Sequence, residues 1–265
     1  MQGGLKNYLS GKLPFRRLKY TRLYKLFFYS SGKKQEKKEL DFYRSFLSPC
    51  TLIFDIGAND GHKSVAFAFF AKKIIACEPD PHNLKVLHNR FRRSTIIIIE
   101  PFALNDQSGT VELYIHKPGS ALNTINPYFK KLLEKDDLTR WNEPIQFSGQ
   151  VISVPCTTLD TLITAHGIPD FIKIDVEGNE WKVLSGLTHS INQISFEVLL
   201  PEFCKDALSS MEWLMKLNKN YRFNYAIEDK LVLPAFIEYE EFIRYFKKIA
   251  AHHIEVIASC ISQNK

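Results

Sequence analysis

The stretch TLIFDIGANDGHKSVAFAF, residues 51–69, decides how the rest of the chain is read. TLIFDI (51–56) is a β-branched and aromatic run that suits a buried strand, and it ends at Gly57. A helical stretch begins at His62. A strand that runs through a glycine turn into a helix is the opening unit of an open α/β sheet, whose ligands gather at the carboxyl ends of the strands. Gly57 and Gly61 permit positive φ and close backbone approach, and free N–H groups at a helix start favour an anionic group such as a carboxylate.

Outward from this unit the chain alternates. KKIIACE (72–78) is a second strand, Pro81 opens a helix to about residue 93, and TIIIIE (95–100) is a third strand. Its four consecutive isoleucines place it in the interior of a parallel sheet. The run 102–104, the turn 105–109 and the strand 110–115 read as a hairpin at the sheet margin. Strands at 151–155, 171–175, 194–199, 221–227 and 254–259 then alternate with helices at 158–165, 180–187, 206–219 and 238–250. The expected fold is α/β: a doubly wound, mostly parallel, seven-stranded Rossmann-like sheet over residues 49–265. Residues 116–150 are an insert expected to cap the substrate, with Tyr128, Phe129, Trp141 and Phe147 offering aromatic faces; a plain surface excursion is the other reading.

The 265 residues are 45% apolar and 24% charged, which excludes a disordered tail or a small disulfide knot. The net charge of +6 is unevenly spread: residues 1–48 hold twelve Lys/Arg against three Asp/Glu, the rest 23 against 26. The basic character therefore belongs to one end, and the slightly acidic body argues against nucleic-acid binding. Within residues 1–48, a basic helical extension and linker, RRLKYTRLYKLFFY (16–29) winds into a basic amphipathic helix. It either packs against its own domain or a second subunit of a homo-oligomer, or touches anionic lipid as a peripheral contact. No run of about 18 apolar residues exists to span a bilayer, and no apolar signal core follows the basic start. Five scattered cysteines without a CxxC pair read as small buried hydrophobes of a reducing, cytoplasmic protein, with or without contact at the inner membrane surface.

Glu78 follows Gly61 by seventeen residues, at the end of the second strand, where an acid can accept both hydroxyls of a ribose. The pair implies a nucleoside-containing cofactor. It is not the G-x-G-x-x-G fingerprint, because Asn59 stands where a pyrophosphate needs the second glycine, and no G-x-x-x-x-G-K-[ST] loop occurs. Asp55 adds negative charge that suits a cationic ligand. KIDVEGNE (173–180) brings Asp175, Glu177 and Glu180 to the same sheet edge, with Glu197 beyond the next strand. Such a negative rim can compensate a cation, orient an acceptor or supply a general base; Glu180 also reads as a first-turn helix residue. No metal is assigned. A nicotinamide-dependent oxidoreductase (NAD) and a non-catalytic docking module are the competing classes.

DIGANDG (55–61), ACEPDP (76–81), FALNDQSGTVELYI (102–115), VPCTTLDTLI (154–163) and DFIKIDVEGNEWKVLSGL (170–187), in this order, resemble the FkbM family of S-adenosylmethionine-dependent methyltransferases. The resemblance covers about residues 51–197 and implies a class I methyltransferase fold with S-adenosyl-L-methionine as cofactor. By it, Asp55, Gly57, Asn59 and Gly61 would hold the methionine part, Glu78 the ribose, Pro79 and Asp80 would flank the adenosine, Ala103 would lie near adenine, and Asp175 would border the methionine end and the acceptor. It further implies O-methylation, with a hydroxyl of a sugar, glycan or natural product as acceptor. DVEG in place of a [DNS]-P-P-[YF] motif argues against methylation of nucleic-acid bases. Glu177 is the first candidate base, ahead of His62, His116 and Glu180.

Overall fold

The computed structural model describes residues 37–135 and 145–260; the basic stretch 16–29 and Trp141 lie outside them. A helix α1 (residues 37–44) leads into β1 (Cys50–Ile56), α2 (His62–Phe67), β2 (Ala71–Cys77), α3 (Pro81–Phe91) and β3 (Ile97–Glu100). Next come β4 (Ala103–Leu104), β5 (Gly109–Tyr114), α4 (Pro127–Glu134), β6 (Val151–Thr157), α5 (Leu159–His166), β7 (Phe171–Ile174) and α6 (Glu180–Ser185). The remainder is β8 (Gln193–Leu199), α7 (Cys204–Leu217), β9 (Arg222–Ile227), β10 (Lys230–Leu231), β11 (Ile237–Glu238), α8 (Tyr239–Phe246) and β12 (His253–Ser259).

The main sheet runs β10-β9-β12-β8-β7-β1-β2-β3, with β11 also on β9. Seven of these strands are the expected core: β3, β2, β1, β7 and β8 are mutually parallel, and β12 enters antiparallel between β8 and β9. Strand β1 is flanked by β2 on one side and β7 on the other, so the order reverses there and a crevice opens above its carboxyl end. One face is covered by a core that includes Leu162, Val183, Leu184, Met211, Leu214 and Phe242. The other is covered by an aromatic cluster in which Tyr43 of α1 lies 4.6 Å from Phe67 and Phe67 lies 5.7 Å from Phe171. Residues of the 37–47 stretch thus belong to the packed body of the domain.

Two expectations are corrected. The isoleucine strand β3 is an outer strand of the sheet, with Ile98 exposed, because no other strand among the described residues pairs with its far side. Residues 102–115 form no hairpin: β6 lies between β4 and β5, parallel to the first and antiparallel to the second, in a separate three-stranded sheet. Ala103, Leu113, Ile115, Val154 and Cys156 make its small core. All five cysteines are free, and Cys50, Cys77 and Cys156 are buried.

Candidate active site

The turn after β1 is built by close packing. A Cβ placed on Gly57 (φ +81°) would sit 1.8 Å from the backbone oxygen of Asp175, so glycine is needed where β1 and β7 converge. Gly61 (φ +78°) faces the opposite way, with a Cβ meeting Phe91 Cε2 at 2.5 Å, and it opens room for α3 rather than for a ligand. The loop amides are largely consumed at home. Gly57 and Ala58 donate to the Cys77 carbonyl (3.0 and 2.9 Å), Asn59 to Glu78 (2.7 Å) and His62 to Asp60 (3.2 Å). The free helix start reserved for a carboxylate is therefore partly closed by the chain itself.

Above this turn lies a cavity of about 130 Å³, walled by Asp55, Gly57, Asn59, His62, Glu78, Pro79, Ala103, Asp175 and Glu177 among others. Of the residues expected to hold the cofactor, Gly61 and Asp80 do not line it, and of the candidate bases His116 and Glu180 do not. Asp80 caps α3 by accepting from His82 (2.8 Å), and its other oxygen accepts from Gly119 (2.9 Å) and from the Asn123 side chain (3.0 Å). It ties the 116–125 stretch to the end of β2. Phe102, Ala103, Leu104 and Leu113 form an apolar wall near Glu78, contributed mostly by the small sheet.

Glu78 is buried, and burial, against hydrogen bonds from Asp80 and Asn59, raises its pKa to about 7. Asp55 is also buried and raised by desolvation, while a hydrogen bond from Ser64 pulls the other way. Glu177 adopts φ +55°, held by Thr124 donating to its carbonyl (2.8 Å) and by Asn126 donating to Gly178. Burial, with repulsion from Asp175, Glu197 and Glu180, drives its carboxyl well above the ordinary range. Glu180 braces the same loop by accepting from Val176 (3.1 Å) and Gly178 (3.2 Å) and stays out of the cavity, which is the structural alternative for that residue.

His62 is an awkward base. Its Nδ1 lies 2.8 Å from Asp60 and its Nε2 lies 3.5 Å from Glu39. Burial lowers its pKa, but the Asp60 bond and the charges of Asp60 and Glu39 outweigh that and favour imidazolium. His116 is outside the cavity, with Nδ1 2.9 Å from Ser120 Oγ.

Two lysines were missed. Lys173, fully buried, lies 3.0 Å from Asp175 and 3.3 Å from Glu197; Lys63 lies 3.3 Å from Asp175 and 3.0 Å from Glu197. The rim is therefore a mixed-charge cluster, not one of negative charge alone. Lys173 sits inside an apolar strand, and that misplaced charge was the available signal. Among the described residues, the insert aromatics Tyr128, Phe129 and Phe147 do not line the cavity: Phe129 is buried in the main core, Tyr128 meets Phe203 edge-on (5.7 Å), and Lys130 lies over Phe147 (5.6 Å). Ser120, Ala121, Asn123, Thr124 and Ile125 line it instead.

The sheet order, the acid at the end of β2 and the carboxylates at the end of β7 define a class I methyltransferase-type fold. The chain belongs to the FkbM methyltransferase family, whose domain matches residues 55–258. The match extends beyond the 51–197 span of the motifs, through the antiparallel strand β12 that completes the sheet. No curated protein matches. Among solved structures, the chain is similar to a precorrin-6y C5,15-methyltransferase from Geobacter metallireducens GS-15 (11% identity, 84% of this chain and 86% of that one, TM-score 0.40). It is similar too to a precorrin-8W decarboxylase from Methanobacterium thermoautotrophicum (10%, 84% and 89%, TM-score 0.42) and to the N-methyltransferase NodS from Bradyrhizobium japonicum WM9 (7%, 86% and 94%, TM-score 0.40). Family and fold imply S-adenosylmethionine as the methyl donor. Among the described residues, no helix is long and apolar enough to cross a membrane.

Proposed function

We propose that this protein is an S-adenosylmethionine-dependent O-methyltransferase acting on a hydroxyl of a sugar, glycan or natural product. The observation that carries the reading is the pairing, in one cavity, of a buried carboxylate beside an apolar slot with two carboxylates beyond the end of β7, across β1: Glu78 with Ala103 and Leu113 on one side, Asp175 and Glu177 on the other. The first suits a ribose and its base, the second a positively charged sulfur, so the residues present fit this cofactor. Glu78 would accept from the ribose hydroxyls, Phe102, Ala103 and Leu104 would enclose the base, and Asp55 and Asp175 would offset the positive charge.

When bound, the cofactor supplies a methyl group made electrophilic by its sulfonium. The residues mainly align and deprotonate. Glu177 would take the proton of the acceptor hydroxyl, freeing an oxygen lone pair for the methyl group that the cofactor would supply. A carboxyl shifted upward is a stronger base once ionised; Lys173 pulls toward the ionised form, against burial and three neighbouring acids. His62, tied to two acids, supports the loop rather than the proton transfer.

The test is methyl transfer from labelled cofactor to a glycan panel, with parent and Glu177→Gln side by side. The expected result is product carrying an O-methyl ether, roughly a hundredfold loss of kcat in the variant, and unchanged affinity for S-adenosylhomocysteine. Full turnover by the variant removes Glu177 as base. N-methylated or C-methylated product removes the O-transfer assignment, and absence of cofactor binding favours a non-catalytic module.

A further inference from the structure

A second cavity of about 280 Å³ adjoins the first and shares two walls with it, His62 and Lys63. Its other walls are Glu39, Glu197, Ala226, Glu228, Asp229, His253, Ile254 and Glu255, so it stands over the ends of β8 and β9 and the start of β12, next to the Asp175 end of β7. The partition is one side chain thick: Lys63 Nζ reaches Asp175 (3.3 Å) of the first cavity and Glu197 (3.0 Å) of the second.

We infer that this second cavity is the acceptor site, and that it takes an uncharged or amino-bearing polyol in preference to a phosphorylated or carboxylated sugar. The inference rests on the methyl transfer proposed above and names where its substrate sits. Three independent features support it. Glu255 is only 8% exposed and lines the cavity; Ser195 pulls on its carboxyl, yet Oε1 has no hydrogen bond of normal length, which leaves accepting capacity for a ligand's hydroxyl or ammonium. The lining is acceptor-rich, with five carboxylates against one lysine and two histidines. Some of that charge is already matched, since Lys38 lies 3.2 Å from Asp229, and Lys173 (3.3 Å) and His253 (2.8 Å) lie against Glu197, but within the lining itself the acids outnumber the bases, which disfavours an anion. Finally, Ala226 and Ile254 are the only aliphatic walls among the described lining residues, too little for an apolar acceptor. A ring held here by Glu255 and Glu197 directs a hydroxyl past Lys63 toward Asp175 and Glu177.

The experiment is saturation-transfer NMR on the full chain with S-adenosylhomocysteine present, using methyl glucoside, methyl glucosaminide, methyl glucuronide and glucose 6-phosphate as probes. Glu255→Leu and the rim variant Glu228→Lys accompany the parent. The second lies on the surface and keeps the test valid if the first does not fold. Expected are signals from the neutral and amino sugars alone, at least tenfold weaker in either variant, with S-adenosylhomocysteine affinity by calorimetry within twofold of the parent. The inference is overturned by equal binding of glucuronide or phosphate to the parent, by unchanged sugar affinity in a folded variant, or by no sugar binding at all. In each of these cases retained S-adenosylhomocysteine binding leaves the methyltransferase reading standing. Failure of the parent to bind S-adenosylhomocysteine overturns both.

Discussion

Replacing Lys173 by methionine keeps the length of the side chain and removes its charge from a fully buried position. Its ammonium lies 3.0 Å from Asp175 and 3.3 Å from Glu197, so the variant leaves two acids facing each other with one fewer cation between them. Removing one partner of a buried pair typically costs about 3–5 kcal/mol. Lys63 still reaches both acids and His253 still holds Glu197 at 2.8 Å, which places the expected loss near the lower end, about 3 kcal/mol. The loss should depend on pH. Burial works to raise the Glu197 pKa, but Lys173, Lys63 and His253 overcome it and hold the carboxyl well below the usual range. A depressed carboxyl stabilises the fold above its unfolded pKa of about 4.3, and that stabilisation disappears as pH falls through the folded value. The raised Lys173 pKa works from the other side: its contribution is complete below about pH 10.4 and adds no slope at neutral pH. Urea unfolding at pH 7 should therefore show the full gap between parent and variant, and the gap should narrow below about pH 4. A loss under about 1 kcal/mol at pH 7, well short of the cost of breaking a buried pair, or a gap that does not change in acid, would refute the charge-cluster argument.

Gly57→Ala should lose about 3 kcal/mol or more, because left-handed strain adds to a collision with the Asp175 backbone that no rotamer relieves; urea unfolding that matches the parent would contradict this. Glu78, with a pKa of about 7, is ionised above neutrality and protonated below it. Affinity for S-adenosylhomocysteine, measured by calorimetry, should accordingly fall between pH 8 and pH 6. Glu78→Gln should bind roughly tenfold more weakly, the equivalent of one charged hydrogen bond, and without that pH dependence. Asp80→Ala removes a helix cap and two ties to the 116–125 stretch, so differential scanning calorimetry should show Tm lower by roughly 4–8 °C, the equivalent of about 2 kcal/mol.

The fold was legible where a strand's neighbours are implied by its burial. TLIFDI and FIKI, apolar on both faces, pair with each other at the centre of the sheet, as a continuous run should. The same reasoning misled at the isoleucine strand, since an outer strand packed under helices carries nearly the same composition as an interior one. Pairing across 53 residues, as between β4 and β6, leaves no local trace, so the small sheet was invisible. At the site, residue types that chemistry demands were found and those that geometry recruits were not. Glu78, Asp175 and Glu177 stood out as acids at strand ends, and they do share a cavity. Asp80 carried the same signal but is spent on a cap and a loop. Lys63 and Lys173 were overlooked because their roles depend on Glu197, a residue distant in sequence that only folding brings beside them.

The antiparallel entry of β12 between β8 and β9 bears on how the molecule is made. As synthesis proceeds, β8 and β9 exist well before the strand that joins them, each with an unsatisfied ladder edge. The sheet is then two incomplete halves, and both Glu255 and the wall it gives the second cavity arrive only with the closing strand. Nascent chains halted before residue 253 should therefore accumulate an aggregation-prone intermediate that already carries the residues lining the first cavity but lacks a wall of the second.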